Sequence, residues 1–231
     1  MDYFENLLNL KDGPVQYEIA PGEYGLGKNL KMVGHDFPYS IRPTEFEFLK
    51  NTIVEYNCKN GFEIATAFGI STTALGLGFK QTGGKLVSMD AYIEEEVNSF
   101  WTYENQNPSL FYDADGYKSA NYLIEHFDLK DNVFLEIGWS PNDTEKCIKK
   151  HITEPLDFIF IDGGHFPDQL IKDIEAIYPL LDKEYIIVLH DIFPEFMTPK
   201  VIKFLKKLFG VLPIIKIKEP LGNNMSIIIK K

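Results

Sequence analysis

The stretch Leu156-Asp157-Phe158-Ile159-Phe160-Ile161-Asp162-Gly163-Gly164-His165 decides the fold of this chain. The unbroken apolar run Phe158–Ile161 fits a strand covered on both faces, as strands of a parallel sheet are. The run stops at an acid, two glycines and an imidazole. Open α/β sheets bind their ligands at the carboxyl ends of the strands. A second segment, Tyr185–Ile192, ends in the same way, because YIIVLHDI delivers His190 and Asp191. Two strands that each present a carboxylate and a histidine at one rim point to a reaction centre.

Outward from these strands the pattern alternates. Strand 62–67 precedes a helix from about Ser71, and strand 85–89 ends at Asp90. A helix over 114–127, strand 132–137 and a helix over 143–150 follow. Strand 157–161 leads to a helix over 168–181, whose Leu170, Ile171, Ile174, Ile177 and Leu181 lie on one face. Strand 185–189 precedes a helix capped by Thr198 with Pro199 at its first position. Upstream, Thr44–Tyr56 reads as a helix capped by Thr44, with Phe46, Leu49 and Ile53 facing inward. Such alternation predicts a doubly wound, Rossmann-like parallel sheet. The last two strands, 213–218 and 225–230, are separated by only EPLGNN. That gap is too short for a helical crossover and predicts an antiparallel hairpin. Residues 1–40, rich in Gly, Pro, Tyr and Asn, read as an arm or lid; 41–231 form the domain.

Composition narrows the partners. A net charge of −11 and a pI near 4.9 disfavour nucleic acid and anionic membranes. No apolar run reaches the length of a membrane span, and the acidic N-terminus lacks the features of a signal peptide. Cys58 and Cys147 make neither a disulfide framework nor a metal motif and fit a reducing cytoplasm. Arg42, the only arginine, fits either an anion clamp or a surface position. The aromatic insertion at about 92–112 fits an acceptor pocket, core packing or the interface of a homo-oligomer. Asp113-Ala114-Asp115-Gly116 starts like a calcium loop, but the later ligands are missing, so it reads as a helix start.

The turn after the first strand, Glu63-Ile64-Ala65-Thr66-Ala67-Phe68-Gly69-Ile70-Ser71-Thr72, has the small residues that let backbone approach a ligand. Asp90 ends the second strand and suits a pair of ribose hydroxyls. With the terminal hairpin, these segments resemble the class I S-adenosylmethionine-dependent methyltransferases. Within that family the chain looks most like small-molecule O-methyltransferases, including the metal-dependent macrolide-sugar and cephalosporin-pathway branch. The resemblance covers about 41–231 and implies a seven-stranded sheet of order 3-2-1-4-5-7-6 with the seventh strand antiparallel. It implies that Glu63, Ala65, Thr66, Gly69, Ser71, Asp90, Ser140 and Asp162 serve the cofactor, with Ser140 beside the adenine. Trp139 fits stacking on the base and simple packing equally. Asp162, His190 and Asp191 are carried over as ligands of a divalent ion, Mg or Mn, and His165 as the general base. This chain departs from the family in having alanine at 65 and 67 and histidine at 190.

The function these residues imply is O-methylation of a small hydroxylated metabolite. Other readings stand beside it. Asp162 and Asp191 also suit caps of the following helices, His165 a loop histidine bonding a carbonyl, and His190 a base or a supporting role. A non-catalytic cofactor- or metabolite-binding protein on the same fold is the alternative from a different class. A nicotinamide-dependent reductase is disfavoured, since ATAFGI at 65–70 is not a full G-x-G-x-x-G.

Overall fold

The computed structural model describes residues 41–91, 116–164, 166–190, 197–218 and 224–230. The arm at 1–40, the aromatic insertion, His165 and Asp191 lie outside the described residues. Seven strands form one sheet: β1 (Asn60–Ile64), β2 (Lys85–Asp90), β3 (Val133–Ile137), β4 (Leu156–Ile161), β5 (Leu181–Leu189), β6 (Ile214–Lys218) and β7 (Asn224–Lys230). Their order is β3-β2-β1-β4-β5-β7-β6. The first five run parallel, and β7 is antiparallel to both β5 and β6. This is the sheet that the resemblance implies.

Side chains alternate between two cores. Phe158 and Phe160 of β4 pack on one face with Ile186 and Val188 of β5. Ile159 and Ile161 pack on the other with Ile187 and Leu189. A strand buried on both sides therefore reads as a continuous apolar run. Helices α1 (Pro43–Tyr56), α2 (Ile70–Thr82) and α3 (Gly116–His126) contribute to the first face through Phe46, Leu49, Ile53, Leu75, Phe79 and Leu123. Helices α4 (Thr144–Lys149), α5 (Pro167–Ile177) and α6 (Pro199–Phe209) cover the second through Ile148, Leu170, Ile174, Val201 and Leu205.

Several boundaries differ from the sequence reading: β1 runs Asn60–Ile64 rather than 62–67, leaving 65–67 to the turn, and β5 begins at Leu181 rather than at 185. α1 starts at Pro43, with Arg42 rather than Thr44 as its cap, because proline at the first helical position lacks the N–H that would need a partner. The Arg42 backbone N–H instead donates to Glu45 Oε2 at 2.8 Å. α5 ends at Ile177, and a short 3-10 turn (Tyr178–Leu180) hands Leu181 to β5. The cap of α6 is as read: Thr198 Oγ1 accepts the Val201 N–H, with Pro199 at the first position.

Candidate active site at the carboxyl edge of the sheet

The sheet's hydrogen bonds continue past the strand ends. Ala65 N donates to Met89 O at 2.9 Å, Asp162 N to Ile64 O at 3.2 Å and His190 N to Ile161 O at 3.0 Å. The residues that follow β1, β4 and β5 are thus held side by side on one rim.

The turn after β1 departs from ordinary backbone geometry. Ala65 has φ 75°, Ala67 φ 45° and Gly69 φ 87°. Left-handed conformation at a residue with a Cβ costs about 1–2 kcal/mol, so the surroundings must hold it. A ring of polar contacts does so. Asp90 Oδ2 accepts the Ala67 N–H at 2.9 Å, and Gly69 N donates to Thr66 O at 2.8 Å. Thr66 and Ser88 share a buried hydroxyl bond of 2.6 Å. Gly69 is also required by packing, since a Cβ there would lie 2.7 Å from the Ala120 Cα of α3.

Glu63, fully buried in β1, accepts from Ser71 Oγ and Thr72 Oγ1 at 2.6 Å and from Ser88 Oγ at 2.5 Å. Burial pushes its carboxyl up to about 7 against the pull of these three donors, and the nearby Asp162 adds to the rise. Both Glu63 oxygens and the Ser71 hydroxyl are therefore spent on fixing the start of α2.

Ser140, in the loop after β3, donates to Asp173 Oδ1 at 2.5 Å. Asp173 is buried in α5 and also accepts from Gln169 Nε2 at 2.7 Å, while Gln169 donates to Ser140 O. A serine hydroxyl has one proton to give, and here Asp173 takes it. Trp139 beside it is exposed, with its backbone N–H held by Asp143.

His190 sits between two acids. Its Nδ1 lies 2.8 Å from Asp162 Oδ1 and its Nε2 lies 3.1 Å from Glu45 Oε1. Each ring nitrogen is thus directed at a carboxylate oxygen, with donor and acceptor roles set by the tautomer. An imidazole binds a metal through a ring nitrogen, and here both nitrogens face acids. Glu45 and Asp162 also stand on opposite ring nitrogens, so the three groups do not converge on one point. Among the described residues no group of three or more His, Cys, Asp or Glu is arranged to hold an ion. With both ring nitrogens turned to acids, His190 is not presented as a ligand to an ion that Asp162 would share.

Sequence reasoning missed Glu45, Asp173 and Gln169. For two of them a signal existed: Glu45 precedes Phe46 on the buried side of α1, and Asp173 falls on the Leu170–Ile174–Ile177 face of α5. An acid on an apolar stripe is costly unless something buried meets it. Cys58 and Cys147 are both buried, and burial raises both thiols, Cys58 to about 12. Neither is activated as a nucleophile.

A methyltransferase-domain family model matches residues 62–192, from β1 through the end of β5. The chain belongs to that family. With the sheet order, this bears out the resemblance to class I S-adenosylmethionine-dependent methyltransferases. Solved structures share the fold of this methyltransferase chain. One is an O-methyltransferase from Bacillus cereus in complex with S-adenosylhomocysteine, at TM-score 0.60 and 22% identity over 83% of both chains. Another is the O-methyltransferase TomG from Streptomyces achromogenes, involved in tomaymycin synthesis and bound to S-adenosylmethionine. It matches at TM-score 0.58 and 15% identity over 81% of this chain and 79% of that one. A methyltransferase from Podospora anserina, bound to S-adenosylhomocysteine, matches at 0.57 and 16% over 83% and 80%. No helix among the described residues is long and apolar enough to cross a membrane.

Proposed function

We propose that this methyltransferase transfers the methyl group of S-adenosylmethionine to a hydroxyl of a small metabolite. The observation that carries the reading is the left-handed turn Ala65–Gly69, fixed by Asp90 at one end and Glu63 beneath, beside Asp162 on the same rim. Such a turn opens backbone to the amino-acid end of a donor. Asp90 is placed at the strand end where a ribose diol is met. The structural relatives above bind this donor or its demethylated product, which supports the same assignment here. A net charge of −11 favours a small acceptor over nucleic acid.

S-adenosylmethionine supplies an electrophilic methyl carbon, and the protein must align an acceptor oxygen with it and take that oxygen's proton. Asp90 accepts the ribose hydroxyls, and Asp162 accepts the amine at the donor's amino-acid end. Ala65, Thr66 and Gly69 contribute backbone to the donor's cradle. Ser140, held by Asp173, fixes the loop against which the adenine packs. His165 takes the acceptor's proton; an ordinary histidine pKa of about 6.5 suits that exchange at neutral pH. No step is routed through a metal, since His190 is engaged on both nitrogens.

The test is a thermal-shift titration with S-adenosylhomocysteine and with NAD, followed by turnover of methyl-labelled donor across hydroxylated acceptors. Stabilisation by the first ligand alone, with labelled product, is expected. Stabilisation by NAD alone would replace this reading with the reductase.

A further inference from the structure

We propose that Glu45 is a positioning residue of the reaction centre, holding the Asp162 carboxylate in place through the His190 ring. The inference rests on the proposed donor site and extends it to α1, which precedes the sheet in sequence. Glu45 is 1% exposed and lies 145 positions from His190 in sequence. Its two oxygens divide the work: Oε2 accepts the Arg42 N–H and Oε1 faces His190 Nε2. The His190 side chain is 4% exposed, so water does not compete for the ring. On its far side Nδ1 meets Asp162 Oδ1, whose side chain reaches solvent at 18%. The chain of contacts therefore runs from the interior to a partly exposed carboxylate at the rim.

Stability alone does not account for the arrangement. Buried ionic groups contribute little net stability, and a well-packed apolar side chain often does as well or better. Apart from Thr52, the rest of α1's inward face is apolar, with Phe46, Leu49 and Ile53 fully buried. α1 is itself seated closely on α2, the helix that opens at the donor turn. A Cβ at Gly78 of α2 would lie 2.9 Å from Ile53 Cβ and 3.0 Å from the Lys50 carbonyl. One rigid pair of helices thus sets both the turn that receives the donor's amino-acid end and the carboxylate that meets its amine.

The experiment compares the full-length protein with Glu45→Leu and Glu45→Gln. Affinities for S-adenosylhomocysteine and for 5′-methylthioadenosine, which lacks the amino-acid end, are measured by calorimetry alongside melting curves. In Glu45→Gln the amide oxygen still accepts the Arg42 N–H and the amide N–H meets His190 Nε2, so Nδ1 still donates to Asp162. A positioning role predicts that Glu45→Leu weakens S-adenosylhomocysteine about tenfold or more. Methylthioadenosine stays within about threefold of wild type, and Glu45→Gln restores the loss. Equal weakening of both ligands, unchanged affinity for both, or failure of Glu45→Gln to rescue would overturn it. If Glu45→Leu does not fold, His190→Phe, which keeps a ring but breaks both contacts, must give the same ligand-selective loss. Wild-type protein that binds neither ligand would instead refute the donor site itself.

Discussion

The Asp90 carboxylate accepts the backbone N–H of Ala67 at 2.9 Å, so the proposed ribose acceptor also holds the left-handed turn in front of it. The two duties are inseparable in the wild type but respond differently to substitution. Asp90→Asn keeps an oxygen for the Ala67 N–H and loses the charge. Asp90→Ala loses both. Affinity for S-adenosylhomocysteine should fall about 10- to 100-fold in Asp90→Ala, the scale of a hydrogen bond to a charged group. A smaller loss is expected in Asp90→Asn. Equal affinities in all three proteins, by equilibrium binding, would remove Asp90 from the donor site.

Ala67 is exposed at φ 45°, where glycine is at ease and alanine is not. Ala67→Gly relieves that strain but frees the unfolded chain. At left-handed positions the first effect wins, so a gain of about 0.5–1 kcal/mol in denaturant unfolding is expected. A loss of stability would show that the alanine's methyl group packs usefully in the turn.

Much of this was legible in advance, for physical reasons. β4 and β5 are covered on both faces, so their apolar runs announced a parallel sheet, and the short EPLGNN gap forced the last hairpin. That Glu63, Ala65, Asp90 and Asp162 gather near one rim was legible because each sits at or beside the end of a strand, where position along the chain fixes position on the rim. The Glu45–His190 contact was not legible. It joins groups 145 residues apart, and only the packing of α1 brings them together. The Ser140–Asp173 contact was not legible either, since Asp173 approaches from another helix.

The buried Glu63 makes stability depend on pH. Its carboxyl titrates at about 7 in the folded protein against 4.5 for the ordinary group. Below 4.5 both folded and unfolded chains carry the proton, and this contribution is fully present. Between 4.5 and 7 the unfolded chain releases it while the folded protein retains it, so stability falls as pH rises. The loss is on the order of 3 kcal/mol once pH passes the folded value. In urea unfolding from pH 4.5 to 8, Glu63→Gln should lack this decline. Parallel curves for the two proteins would mean that Glu63 titrates normally.

The engagement of both His190 nitrogens bears on metal dependence. Turnover after exhaustive treatment with a chelator should stay within about twofold of the untreated rate, because no ligand bond is lost. Abolished activity restored by Mg or Mn would show that an ion displaces His190 from Asp162.

His165 tests the proton transfer separately from binding. His165→Ala should lower kcat about 10²–10⁴-fold and leave S-adenosylhomocysteine affinity unchanged. A wild-type rate would assign the base elsewhere.

The most direct test of the central claim is calorimetric titration of S-adenosylhomocysteine into the wild-type protein and Asp162→Ala, with methylthioadenosine as the control. The account predicts one site per chain, weakened by Asp162→Ala only for the ligand that carries the amino-acid end. No heat with either ligand, or equal affinities for S-adenosylhomocysteine in the two proteins, would contradict a donor lying beside β4.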